Sequence, residues 1–125
     1  MITDPNPITR HIINSAMKVH SALGPGLLES AYQTCLMYEL SEIGLAVESQ
    51  VPLPVIYRGI KLNAGYRIDL LVESSVIVEV KAIERVLLVY RAQLLAYLRL
   101  SGKKYGLLLN FNVPRLKYGI TRLAN

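Results

Sequence analysis

Apolar residues recur every three or four positions over the first forty residues and then crowd into short runs, so two helices precede a set of strands. Ile8, Ile12, Ala16, Val19 and Leu23 make the apolar stripe of the first helix. Asn6 can cap it, with Pro7 at its first position. Gly24-Pro25-Gly26 ends it, and a second helix is expected over residues 27–43, with Gly44 as its stop. AVESQVPLPVIY then reads as one strand with a polar face, which Pro52 and Pro54 confine to an edge or an irregular path. Arg58-Gly59 and Asn63-Ala64-Gly65 mark turns. A hairpin over 66–72 and 76–82 follows, then a third helix over 89–101 ending at Gly102. YGLLLNF reads as a buried strand and LKYGITRL as a last edge strand. The order is ααβββαββ, an α/β domain of residues 1–125 with a mixed sheet flanked by helices.

Within the hairpin, IDLLVESSVIVEVK has the apolar density of strands buried on both faces, yet Asp69, Glu79 and Lys81 interrupt it. A charge there is costly to desolvate unless something compensates it. If Glu73-Ser74-Ser75 is a three-residue loop, Val72 faces Val76 and Asp69 comes opposite Glu79, where like charges repel. Glu79 and Lys81 share a face by the period of two. A divalent cation would remove the repulsion, and oxygen-only ligation with room for water suits Mg²⁺ or Mn²⁺. Two alternatives stay open. The three charges can form a plain cluster at a solvated sheet edge, and a two-residue loop would send Asp69 to the other face.

Asp, a hairpin and then Glu-x-Lys resembles the core of the PD-(D/E)XK nuclease superfamily, although Ile68 stands where that motif has Pro. Gly26-x-x-Glu29-x-x-Tyr32 resembles the signature of the GxxExxY protein family, a small branch of that superfamily. Gln93-x-x-x-Tyr97 is similar to a motif of its RecB-like and lambda-exonuclease-like members. Helix 3 departs from the pattern, in which a His near Tyr90 and an acid or neutral residue at Arg91 are expected.

The resemblance implies a restriction-endonuclease-like fold and Mg²⁺-dependent hydrolysis of nucleic acid, most simply DNA. It implies that Asp69, Glu79 and the Val80 main-chain carbonyl hold the metal and that Lys81 acts on water or on developing charge. Glu29 would reach the metal from its helix, though an acid in a first turn also suits the helix dipole. Gln93 and Tyr97 would brace the site or touch substrate. The same fold without catalysis, as a nucleic-acid- or protein-binding module, is the second reading.

Composition narrows the classes. With 125 residues, 52% of them apolar, the chain can bury a core and is not disordered. No apolar run nears the roughly 18 residues that span a bilayer, so no membrane role is expected. The first ten residues lack the pattern of a signal peptide, and Cys35 is alone, so a reducing cytoplasm is the default setting. Cys35 is expected to be buried in a helix; His11 and His20, nine apart, are expected at a surface or interface. Residues 1–50 carry two bases and five acids, and residues 51–125 twelve bases and four acids. The basic half thus contains the acidic cluster, which suits a polyanion met by a metal site. Arg67, Arg91, Arg99, Lys103 and Lys104 are candidate phosphate contacts. A chain this small offers limited surface, which a homodimer contacting two strands would extend.

Overall fold

Asn6 opens the fold as its sequence promises: Oδ1 accepts hydrogen bonds from the amides of Ile8 (2.8 Å) and Thr9 (3.2 Å). The structure is a computed structural model that describes residues 6–125. Helix α1 (Pro7–Leu23) buries Ile12, Ile13, Ala16 and Val19, while Leu23, expected in the stripe, is exposed beside the helix end. His20 overturns its surface assignment. It is 7% exposed, and Nε2 pairs with the Val113 carbonyl at 2.8 Å, so a distant backbone group satisfies the ring. His11 is exposed and Cys35 half-buried rather than fully buried.

Helix α2 (Glu29–Glu42) packs on α1 and buries Tyr32, Leu36 and Leu40, one residue per turn. The preceding loop is held by Tyr32, whose hydroxyl donates to the Gly24 carbonyl (2.6 Å) and accepts from the Leu27 amide (3.1 Å). Its ring stacks on Phe111 at 4.5 Å. Gly26 serves this loop through its torsion, φ +106°. A side chain there would meet nothing within 4 Å, so close approach to the sheet is not its reason.

Strands β1 (Val47–Pro52), β4 (Arg67–Val72), β5 (Val76–Lys81), β6 (Tyr105–Asn110) and β7 (Ile120–Ala124) form one sheet in the order β1-β4-β5-β6-β7. Only β5 and β6 run parallel, joined by helix α3 (Leu88–Ser101), which ends where Gly102 turns left-handed. The single strand expected over AVESQVPLPVIY is split at Leu53-Pro54. Its second half becomes β2 (Val55–Tyr57), paired with β3 (Ile60–Leu62) in a separate two-stranded sheet. Arg58 and Gly59 both have positive φ, the turn geometry that fits a tight hairpin. The Leu53 amide bonds the Tyr66 carbonyl at 2.9 Å and closes the base of this excursion.

The last predicted strand is also shortened. Leu116–Gly119 winds as a 3-10 turn and only Ile120–Ala124 pairs with β6. Gly119 is what lets this turn lie against β6, because a Cβ would collide with the Asn110 carbonyl oxygen.

Two apolar cores lie on the two faces of the sheet. Helices α1 and α2 cover Leu70, Val72, Val76, Val78, Val80, Leu107 and Leu109; α3 covers Ile68, Leu71, Ile77 and Leu108. Alternation along a strand should keep Ile68 and Leu70 on one face, and Val47 and Val51 likewise. Instead Val47 and Leu70 pack toward α1–α2, whereas Val51 and Ile68 pack toward α3. Both strands change faces at one step, and Gln50 and Asp69 occupy it.

Candidate active site

Loop length sets the geometry here. Glu73 and Ser74 adopt positive φ, the Ser75 amide bonds the Val72 carbonyl, and Val72 pairs with Val76, so the loop has the three residues expected. Glu73 also clasps Ala46: its amide donates to the Ala46 carbonyl (2.8 Å) and its Oε2 accepts from the Ala46 amide (2.6 Å). From this fixed end the ladder runs through Leu71↔Ile77 and Leu70↔Val78, and there the paired positions stop.

Beyond that point side chains take over from the backbone. Glu79 Oε2 accepts from the Asp69 amide, and Asp69 Oδ2 accepts from the Val80 amide, each at 2.8 Å. Two main-chain donors that would otherwise lack a partner are satisfied by the two acids. Asp69 and Glu79 therefore stand together between β4 and β5. Glu79 is only 4% exposed; burial first and the Asp69 charge second push its carboxyl up to about 8. Burial also raises the Asp69 carboxyl, against the Val80 hydrogen bond and the Lys81 charge, which lower it.

Lys81 lies one step further on the Glu79 face, and its charge favours ionisation of both acids. Its Nζ sits 4.9 Å from the centre of the Tyr90 ring, a cation–π contact at the position where a His was expected nearby. Glu29, the first residue of α2, reaches across to the end of β5, where Oε2 accepts from the Ala82 amide at 3.1 Å. Its charge raises both Asp69 and Glu79. Tyr97 on α3 is buried, with its ring edge-on to Tyr66 at 6.0 Å. Burial and then the Glu79 and Asp69 charges raise its hydroxyl pKa, which places it on the acid side. Gln93 is half-buried one turn earlier.

The basic candidates divide into two groups. Arg67 stands at the acid end of β4, its Nη1 3.4 Å from the Gln50 carbonyl, and Arg91 is exposed in the first turns of α3. Arg99 is in the last turn of α3, and Lys103 and Lys104 precede Tyr105, which pairs with Val76. That is the opposite end of β5, about 10 Å along the strand from Glu79. The structure does not bring these three to the acids.

Two further residues shape the site. Asn110 is buried, and Oδ1 accepts from the amides of Ile83 (3.0 Å) and Asn112 (3.2 Å) while Nδ2 donates to the Ile83 carbonyl (3.0 Å). With the Phe111 amide on the Lys81 carbonyl, this ties down the segment after Lys81. A lone amide inside YGLLLNF was the available signal. Gln50 has φ +53° across from Asp69, and nothing in the sequence marks it.

Among the described residues no three His, Cys, Asp or Glu side chains are grouped as a complete ion site. A cage is not required for Mg²⁺, which binds through one or two carboxylates with water and phosphate oxygens. The Asp69–Glu79 pair, crowded and charge-strained, is such a donor set, and Glu29 lies within electrostatic range. The residues fit a hard divalent cation.

A family model described as the PD-(D/E)XK nuclease superfamily matches residues 6–123. No curated protein and no solved structure matches the chain. The five-stranded mixed sheet flanked by helices is the restriction-endonuclease-like arrangement. With the match covering nearly the whole length and Asp69, Glu79 and Lys81 gathered at one end of the hairpin, the chain belongs to the PD-(D/E)XK nuclease superfamily.

Proposed function

We propose that this protein is a Mg²⁺- or Mn²⁺-dependent nuclease that hydrolyses phosphodiester bonds, with DNA as the first substrate to test. The observation that carries this reading is the reciprocal pair of Asp69 and Glu79 with Lys81 one step beyond. Asp69 and Glu79 would hold the cation, with the Val80 main-chain carbonyl as a third oxygen and Glu29 acting through water. A bound cation lowers the pKa of its water and neutralises charge on a phosphate. Lys81 orients the attacking water or offsets the negative charge that develops on the phosphate. Tyr97 and Gln93 brace the acid face from α3. Arg67 and Arg91 lie at the acid end and suit contacts to phosphates around the scissile bond; Arg99, Lys103 and Lys104 suit contacts further along a strand.

Gly26, Glu29 and Tyr32 support placement in the GxxExxY branch, as one nuclease-like unit over residues 1–125 that would meet two strands if paired as a homodimer. No helix among the described residues is long and apolar enough to cross a membrane, and the proposed setting is the cytoplasm. A non-catalytic binding module of the same fold is the second reading, favoured by Tyr90 near the expected His position. Incubation of purified protein with Mn²⁺ and mixed DNA and RNA, with Glu79→Ala as control, separates the two. Cleavage by wild type that is absent in the control supports the nuclease; binding without cleavage under any divalent ion supports the module.

A further inference from the structure

Gln50 occupies the single step at which β1 leaves its ladder with β4. Ser49↔Leu70 and Val51↔Ile68 are paired, but Gln50 and Asp69 between them are not. Its φ of +53° lies in the left-handed region, which glycine enters freely and asparagine tolerates, but which penalises longer side chains. The side chain is exposed, so burial does not offset that penalty. It is engaged in polar contacts instead. Nε2 donates to Gln33 Oε1 on α2 at 3.1 Å, and the residue lies across from Asp69 between two paired steps, where its side chain favours the ionised Asp69 carboxylate. The Gln50 carbonyl, turned out of the ladder, faces Arg67 Nη1. One residue thus joins α2, an acid of the candidate site and a cationic side chain beside it.

A glycine would satisfy this backbone without strain, so what glutamine adds is its amide. We propose that Gln50 is a positioning residue of the carboxylate site, braced by Gln33 so that its amide orients Asp69 while its carbonyl keeps Arg67 alongside. Unlike Arg58, Glu73 and Ser74, which share this torsion in hairpin turns, Gln50 adopts it within a strand beside a candidate site, the kind of place where such conformations cluster. The inference rests on the nuclease reading.

Gln50→Gly tests it, because it keeps the torsion and removes the amide; Gln33→Ala removes the brace alone. Three quantities are read: the metal-free melting temperature, the rise in that temperature caused by Mn²⁺, and kcat and KM on an oligonucleotide that wild type cuts. Gln50→Gly is expected to melt at or above the wild-type temperature. Its Mn²⁺ response should shrink, and kcat should fall about tenfold or more with KM nearly unchanged, the mark of a misplaced reacting group. Gln33→Ala should shift kcat in the same direction by less. If Gln50→Gly melts well below wild type, the amide serves to hold α2 on the sheet and the proposal is wrong. Unchanged kcat and Mn²⁺ response in a stable Gln50→Gly overturn it equally. A wild type that neither cuts nor responds to Mn²⁺ refutes the nuclease reading itself, and the positioning role falls with it.

Discussion

Glu79 binds the backbone of Asp69 while Asp69 binds the backbone beside Glu79, so each acid occupies a ladder position of the opposing strand. The strands are joined at the Glu73-Ser74-Ser75 turn by main-chain bonds and at the other end by carboxylates. Charge at this end is therefore coupled to strand pairing, and anything that changes the charge reports on both.

Proton release from Glu79 should weaken the metal-free fold. A folded carboxyl raised from 4.5 to about 8 binds its proton more tightly than the unfolded chain does. Stability is then highest below the unfolded value and declines as pH rises from about 4.5 to about 8, by on the order of a few kcal/mol at most. The upward shift at Asp69 acts in the same sense. Urea titrations in chelator at pH 5 and pH 8 measure the decline, and Glu79→Gln should flatten it. Equal slopes in wild type and variant would assign the pH dependence to another group.

Mn²⁺ should reverse that loss. An ion that binds only the folded state adds about 2.7 kcal/mol at 100 times its dissociation constant. Thermal melts with and without Mn²⁺ read the gain, which Asp69→Asn should reduce sharply. The same gain in the variant would locate the ion elsewhere.

Lys81→Ala should separate chemistry from binding. Its charge acts on both acids and its ammonium lies over the Tyr90 ring, so cleavage should drop by roughly 100-fold or more while the dissociation constant for DNA changes little. Arg99→Ala and Lys104→Ala, at the far end of β5, should weaken binding instead and lower its salt slope by about 0.9 for each phosphate no longer neutralised. Affinity titrations at several salt concentrations beside a cleavage assay decide it; parallel losses in all three variants would contradict distinct roles.

Asn110→Ala should destabilise the fold by roughly 1 kcal/mol or more, since it leaves the half-buried Ile83 amide and carbonyl without their side-chain partner. Cleavage should fall too, because the segment after Lys81 loses its tether. Urea unfolding measures the first effect, and a cost near zero would show that water or local rearrangement satisfies those groups.

The hairpin was legible because one integer, the length of its loop, determines which side chains meet, and Val72 opposite Val76 brings Asp69 to Glu79. The role of the acids toward the backbone was not legible. A strand pattern records faces and is silent on where a ladder ends. The partners of His20 and Asn110 were hidden for a related reason, since Val113 and Ile83 are 93 and 27 residues away. Gln50 looked like a solvent-facing residue in an alternating strand, and a torsion leaves no trace in such a pattern. Pro54 did announce irregularity, but the pairing of Val55–Tyr57 with Ile60–Leu62 depended on Leu53 finding Tyr66. Local signals located the elements and the acids; distant partners determined how they were held.

Because Leu53 and Tyr66 meet, the chain leaves the main sheet and returns to it at neighbouring points, and residues 54–65 belong to neither core. Closing a longer loop across those points costs little more, since the entropy of closure grows only with the logarithm of length. This makes the Arg58-Gly59 tip a natural grafting point. A peptide tag or a foreign recognition loop can be carried there while Asp69 and Glu79 keep their places, so the scaffold can acquire new addresses without rebuilding its chemistry.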